Sequence, residues 1–384
     1  MTLSPQPRFR RLPPGLYAGA VVSGMGTVLT GAVLPSLSRL QHLNDRGAGV
    51  LLAAQFLGGF VGGMTVMSPP QRSLRGGALY SLVALGCGAG ALAAGLPAWV
   101  FDGCLLVFGF GLGQLITAVN LIVGQEQKVT RAAHLSLVNL LWSLGAVLSP
   151  LGIASVTKRA PVWGIFAGFC VLLAVVWLSL VRARWPEAPE STDAAALPGA
   201  RAGMWLFAGF AALFFLYGGT ENSLSGWMST YALRYGGASV VTAPLMTAAV
   251  WAGIDAGRAM CAVLLRHVDE LRAVRVTLCV FVMCAVALLR ADSVAEMLVL
   301  AVVMGLCLAP IFPAALSVAV EMGLPQRQLG AVMAMCGLGA SALPFLVGAV
   351  SFRVGSLRVA MALPAVAAAA MIVVLLRLRA PRMA

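Results

Sequence analysis

The sequence predicts an all-α membrane protein of twelve transmembrane helices, arranged as two pseudo-symmetric halves of six. Three observations lead there. Apolar residues fill 60% of the 384 positions and charged residues 10%, against about 45–50% and about 25% in soluble domains. The apolar residues are gathered in blocks long enough to span the hydrocarbon layer, which takes about 20 residues per helix. The blocks also fall into two sets that repeat the same landmarks.

In chain order, the first set lies near 14–38, 47–68, 76–95, 98–124, 134–156 and 160–181, and the second near 203–232, 239–265, 273–290, 294–321, 327–351 and 357–377. The block after Arg8, Arg10 and Arg11 exceeds the roughly 7–15 apolar residues of a cleaved signal peptide and is expected to stay as the first span. Between the sets, Arg182 to Arg201 carries Glu187, Glu190, Asp193 and three prolines. This divides the chain into a first half, 1–181, a linker, 182–201, and a second half, 202–384. Gly58 and Gly62 in the second span match Gly253 and Gly257 in the eighth, and Glu126 matches Glu321 at one common shift. Gly145 and Pro150 in the fifth span pair with Gly339 and Pro344 in the eleventh at nearly the same shift. Parallel repeats of this kind place a binding site between the halves, near the bilayer midplane.

Lys and Arg set the orientation, because cytoplasmic loops collect them. With the N-terminus inside, the inner set is Arg8, Arg10, Arg11, Arg72, Arg75, Lys128, Arg131, Arg182, Arg184, Arg201, Arg266, Arg272, Arg275, Arg327, Arg377, Arg379 and Arg382. The outer set is the smaller one: Arg39, Arg46, Lys158, Arg159, Arg234, Arg290, Arg353 and Arg358. Both termini are therefore expected in the cytoplasm, with the protein a multi-pass resident of the cytoplasmic (inner) membrane in contact with lipid. The net charge of +13 comes from twos and threes of basic residues between apolar blocks, not from one basic face, so nucleic acid is not an expected partner.

Other classes of chemistry find little support. The eight cysteines lie in or beside apolar blocks without a CxxC pair, and His42, His134 and His267 are scattered, so neither a disulfide framework nor a metal site is expected. No nucleophile is grouped with a base and an orienting partner, which argues against an enzyme. No phosphate-binding loop appears, so ATP is not the energy source, and no cofactor is expected.

Ionisable groups inside spans are costly and mark a pathway or a partner. Glu221, Asp255 and Arg258 qualify. Asp255 and Arg258 stand three apart on one face, where each can neutralise the other. Glu221 lies in the most polar stretch of any block, with Asn222, Trp227 and Tyr231, about 27 Å into its span. Gly218, Gly219 and Gly226 are expected to break that helix around a cavity. Glu221 and Asp255 are the candidate proton carriers, and Glu126, Arg258 and Glu321 the candidate cytoplasmic gate. Uncharged candidates for solute binding are Gln55, Asn120, Asn139 and Trp142. The last two share a face, an amide beside an aromatic plate, which suits a hydroxylated ring with one apolar side.

Several of these stretches carry a family likeness. LYGGTENSLSGWMSTY (Leu216 to Tyr231), WAGIDAGR (Trp251 to Arg258), APIFPA (Ala309 to Ala314) and GLGASALPFLVGAVSFRVGSLR (Gly337 to Arg358) resemble the fucose and glucose permease branch of the major facilitator superfamily, and GMGTVLTGAVLP (Gly24 to Pro35) is similar to its first span. The resemblance implies the major facilitator fold, a sugar in a central cavity and proton-driven uptake. It would put Asn120, Asn139, Glu221, Asn222 and Trp227 near the sugar. Two departures stand out. Leu16 to Leu40 holds no Asp or Glu where symporters of this kind carry a proton site, and MSPPQRSLR (Met67 to Arg75) lacks the usual acidic residue. Proton coupling then needs another carrier or is absent, as in a uniporter. The expectation is import of a small polar solute such as a sugar by alternating access of a monomer. The alternatives are efflux of amphipathic compounds, for which Gly145 to Gly152 is partly like an antiporter motif, and a receptor without flux.

Overall fold

In the computed structural model, residues 12–125, 128–185, 203–264 and 269–378 are described, and every regular element among them is α-helical. The helices are α1 Pro14–Leu40, α2 Asp45–Met64, α3 Pro70–Ala93, α4 Ala98–Gly124, α5 Lys128–Val156, α6 Val162–Arg182, α7 Met204–Tyr235, α8 Pro244–Leu264, α9 Glu270–Leu288, α10 Val294–Leu308, α11 Ile311–Glu321, α12 Gln326–Val354, α13 Leu357–Ala360 and α14 Leu363–Arg377. They make twelve crossings. The tenth is α10 plus α11, interrupted at Ala309-Pro310, and the twelfth is α13 plus α14. The end of the bundle where α1 begins is called proximal below, and the opposite end distal.

Eleven crossings are long and apolar enough to span a membrane. The exception, α8, carries both Asp255 and Arg258 in its 21 residues. All-helical spans follow from the solvent: hydrocarbon offers no partner to a backbone N–H or C=O, so each segment must satisfy its own. Ends are fixed where loops meet water. Asn44, Asp269 and Ser293 cap α2, α9 and α10 by accepting from the backbone N–H groups of Gly47, Arg272 and Glu296. Trp99 and Trp205, at opposite ends of the bundle, are 73% and 89% exposed, as interfacial tryptophans are.

The halves share one packing scheme. A Cβ on Gly24 of α1 would stand 1.9 Å from the Trp142 carbonyl oxygen of α5, and one on Gly145 of α5 would stand 2.0 Å from that of Val21. The same reciprocal pair recurs between α7 and α12. There Gly218 faces the Cys336 carbonyl at 2.2 Å and Gly339 that of Phe215 at 1.8 Å. The second spans repeat it too: Gly58 meets Leu106 of α4 at 1.9 Å, and Gly253 meets Val302 of α10 at 2.2 Å. At each point two backbones touch and no side chain larger than hydrogen fits. These matched glycines are thus close-packing devices inside each half.

One expectation is overturned. The seventh span is not broken: α7 runs unbroken over 32 residues, through Gly218, Gly219 and Gly226. Those glycines let α12, and Leu52 of α2, approach closely instead. Glu126, Arg8 to Arg11, Arg266 and most of the expected linker, including Asp193, lie outside the described residues.

Candidate functional site

Tyr217, Glu221 and Ser225 are spaced by four along α7 and form one stripe facing α8. Glu221 is buried, with 8% exposure, and accepts a hydrogen bond from the Tyr217 hydroxyl. Ser225 Oγ accepts from Trp251 Nε1 of α8 at 2.9 Å. Two turns further along α8, the Arg258 guanidinium lies within electrostatic reach of both Glu221 and Tyr217. Its Nη1 donates to Ser143 Oγ of α5 at 2.9 Å, across the boundary between the halves. Arg258 is thus a cation shared among α5, α7 and α8.

Its pairing with Asp255 is loose. The Nη1 to Oδ1 distance is 4.0 Å, with side chains 36% and 22% exposed, and Asp255 Oδ1 is enclosed without a hydrogen-bond partner. The neutralising pair expected from their three-residue spacing is thus present as a long ion pair, while Arg258 also reaches across to α5.

Next to Ser143, the Trp142 ring meets Trp251 edge to face, with centroids 5.1 Å apart, so each half contributes one plate. Trp142 Nε1 is buried without an acceptor, an unspent donor at the boundary. Asn139, one turn before Trp142 and Ser143, is exposed. The lipid-facing stripe of α5 is Leu137, Leu140, Leu144, Leu148 and Leu151, all at least 41% exposed. Asn139 is off that stripe and on the side of Trp142 and Ser143, so it opens into the space between the halves.

Toward the distal end the halves are locked. Asp45 of α2 accepts from both terminal nitrogens of Arg234 of α7, one at 2.8 Å, and from the Ser351 hydroxyl of α12. Gly49 approaches Phe345 and Gly348, and Gly31 approaches Ser225 and Gly226, at backbone distances. Ser341 Oγ donates to the Ala53 carbonyl at 3.0 Å. Of the cross-half bonds named here, Arg258 to Ser143 lies furthest toward the proximal end. The structure is a state closed at its distal end.

The family model of the Major Facilitator Superfamily matches residues 16–322 of the chain. The chain belongs to the major facilitator superfamily. No curated protein matches its sequence. Among solved structures, the E. coli fucose:proton symporter FucP aligns with a TM-score of 0.61 at 16% identity, over 96% of this chain and 98% of that one. A D-xylose-proton symporter aligns at 0.74 and 14%, over 93% and 95%. The nucleoside transporter NupG aligns at 0.74 and 11%, over 94% and 99%. Identities this low establish the shared fold alone, and the protein is a multi-pass membrane member of a transporter superfamily.

Within the superfamily fold, the expected residues separate. Glu221, Asp255, Arg258, Trp142 and Asn139 converge on the boundary. Gln55 does not join them: its amide donates to the Gly26 and Thr27 carbonyls and accepts from Thr30, so α1 takes both its donors and one of its acceptor positions. Trp227 Nε1 is spent on the Pro344 carbonyl at 3.0 Å and the Tyr231 hydroxyl on that of Leu288 at 2.8 Å, both side chains fully buried. They tie helices of the second half together. Asn222 and Asn120 donate back to the Gly218 and Ile116 carbonyls of their own helices. Glu321 is exposed at the end of α11, and Arg266, expected with it and Arg258 at the gate, lies outside the described residues. Sequence reasoning missed Ser143, Tyr217 and Trp251, although Tyr217 stands one turn from Glu221. It also missed Asp45, whose partners are distant in the chain.

Proposed function

We propose that this protein is a proton-coupled importer of a small polar solute, with a ring-shaped, hydroxylated compound of sugar size as the substrate class. The observation that carries the reading is the buried carboxylate of Glu221, held by Tyr217 and a shared arginine beside the Trp142–Asn139 face. A carboxylate in that position can take a proton and lose it as the halves rock, and an aromatic plate with an unspent N–H and a nearby amide suits a hydroxylated ring. Two structural neighbours, the fucose:proton symporter and the D-xylose-proton symporter, agree with it. In this reading the proximal end faces the cytoplasm, as the arginine distribution indicates, and the distal-closed state is inward-facing. The two halves, 1–181 and 202–384, rock about the midplane with the 182–201 linker inside, and the protein works as a monomer in the cytoplasmic membrane.

The efflux alternative rested on the glycines of the fifth span. Gly145 is engaged with α1 in the same way that Gly339 is engaged with α7, so this glycine has a packing role that does not by itself favour export. The test is uptake into proteoliposomes with an imposed pH gradient, using labelled hexoses, pentoses and nucleosides. At least one should accumulate against its gradient, and Glu221→Gln should abolish accumulation while leaving exchange. Accumulation by Glu221→Gln equal to the parent would remove Glu221 from the coupling role.

A further inference from the structure

The proximal rim of the first half gathers arginines without acids. Arg72 and Arg75 lie in the first two turns of α3, and Arg182 and Arg184 stand at and just past the end of α6. Arg75 Nε donates to the Leu180 carbonyl at 3.1 Å, which brings the two helix ends together and leaves its terminal nitrogens for another acceptor. Gly15 at the start of α1 packs against Ser179 and Leu180 at the same level. Residues 12–40, 65–93 and 162–185, which supply this rim, contain no Asp or Glu, and Arg72, Arg182 and Arg184 are exposed.

The second half repeats the arginines and neutralises them. Arg272 and Arg275 are the third and sixth residues of α9, as Arg72 and Arg75 are of α3. Where α3 has Pro69 and Pro70, however, α9 has Asp269 and Glu270. Asp269 caps α9 by accepting from the Arg272 backbone N–H at 2.6 Å, and Arg275 Nε turns back to the Leu271 carbonyl of its own helix at 3.1 Å. The α3 N-terminus has no side-chain cap, so its helix dipole adds to the field of the arginines. Trp185, next to Arg184, is partly buried against the core, and its Nε1 donor is enclosed without an acceptor. A tryptophan at the end of a span sits at headgroup level. Further into the membrane, Leu79 and Val83 of α3 and Val175 and Leu178 of α6 are exposed, as a surface covered by acyl chains is.

We propose that the proximal ends of α3 and α6 form a binding site for the headgroup phosphate of an anionic phospholipid. Arg72, Arg75, Arg182 and Arg184 hold the phosphate, and the acyl chains lie along the exposed apolar residues beyond them. Guanidinium forks match phosphate oxygens, and basic pockets between helix ends retain lipid headgroups. A soluble anion would use the arginines but not the apolar surface, so lipid is the occupant. The corresponding rim of the second half carries its own carboxylates and is not a second site. The proposal is independent of the solute and of the role of Glu221.

The test is native mass spectrometry of the purified full-length protein with phosphatidylglycerol, phosphatidylethanolamine or inorganic phosphate as the probe. The parent should retain phosphatidylglycerol over phosphatidylethanolamine by about tenfold. Equal retention of the two lipids by the parent overturns the proposal without recourse to any variant. Arg72→Gln combined with Arg182→Gln should bring the ratio below about threefold, whereas Arg272→Gln combined with Arg377→Gln removes the same charge from the second half and should leave it unchanged. Equal losses in the two double variants would reduce the preference to net charge and overturn the site. Millimolar phosphate should not displace the lipid, and displacement would assign the rim to a soluble anion instead. Glu187→Gln combined with Glu190→Gln should leave the ratio as it is. A severalfold rise there would make the linker's own acids the occupant and overturn the lipid assignment.

Discussion

The two halves of the bundle share a skeleton and differ in chemistry. The shift that superposes Gly24 on Gly218 and Gly145 on Gly339 also brings Thr27 onto Glu221, Trp142 onto Cys336 and Ser143 onto Gly337. The shift relating Gly58 to Gly253 brings Phe60 onto Asp255 and Gly63 onto Arg258. Every ionisable group at the centre thus belongs to the second half, while the matching places in the first are uncharged. Thr27 spends its hydroxyl on the Ser23 carbonyl of its own helix at 2.8 Å. Where backbones touch, a single Cβ would force the helices apart, so residue type is held. Between those points a side chain faces the central space and is free to differ. In the proposed function the first half therefore offers amide and indole to a solute, and the second offers charge to an ion.

The sharpest way to break this comparison is to move the carboxylate. Thr27→Glu introduced into Glu221→Gln should not restore uphill accumulation, leaving the complete loss of the single variant, because α2 presents Phe60 and Gly63 where α8 presents Asp255 and Arg258. Restored accumulation in pH-gradient vesicles would show the halves to be chemically interchangeable. A smaller effect is expected on the solute side. Asn139→Ala should weaken binding of whichever solute the uptake screen identifies by about tenfold, roughly 1.4 kcal/mol, measured by calorimetry, with the accumulation ratio at saturation unchanged. A fall in that ratio without loss of affinity would put Asn139 on the ion side. The smallest effect belongs to the distal lock. Asp45→Asn leaves a 39% exposed Arg234 with a weaker partner. An ion pair that open is worth about 0–1 kcal/mol, so distal opening should rise by at most about fivefold. Labelling of a cysteine placed at Leu52, beneath the lock, reads this, and an unchanged rate would mean that the backbone contacts of Gly31 and Gly49 hold the mouth closed alone.

What the sequence disclosed depended on how local the signal is. Spans were legible because an apolar block needs no knowledge of its neighbours, and even α8 could be placed, since its two charges interrupt the block without ending it. Asn139 and Trp142 were legible as a shared face from spacing alone. Glu221 stood out by cost, and it is buried in the structure. Pairings between distant segments were hidden. Gln55 reads as a free amide until α1 is seen to absorb its donors and its acceptor, and Asp45 reads as an ordinary first-turn acid of α2 until Arg234 and Ser351 arrive from the other half. The glycines of α7 misled for a related reason: alone they weaken a helix, but against the Cys336 carbonyl and Leu343 they are what lets α12 pack closely.

The lengths of α7 and α9 carry one more consequence. At 1.5 Å per residue, the 32 residues of α7 measure about 48 Å and the 19 residues of α9 about 28 Å, beside a hydrocarbon layer of about 30 Å. The helix bearing the central carboxylate must therefore lie obliquely or overhang the bilayer. Its overhang carries Arg234 to the distal rim, along with Tyr235, whose ring lies under Arg358 at 4.7 Å, and Met204 and Trp205 to the other end. Any change in the tilt of α7 alters how much of those ends is wetted, at a fraction of a kcal/mol for each ångström of mismatch. In the proposed alternating-access cycle, membrane thickness thereby enters the balance between the two access states, and the acyl-chain length of the surrounding lipid would shift that balance.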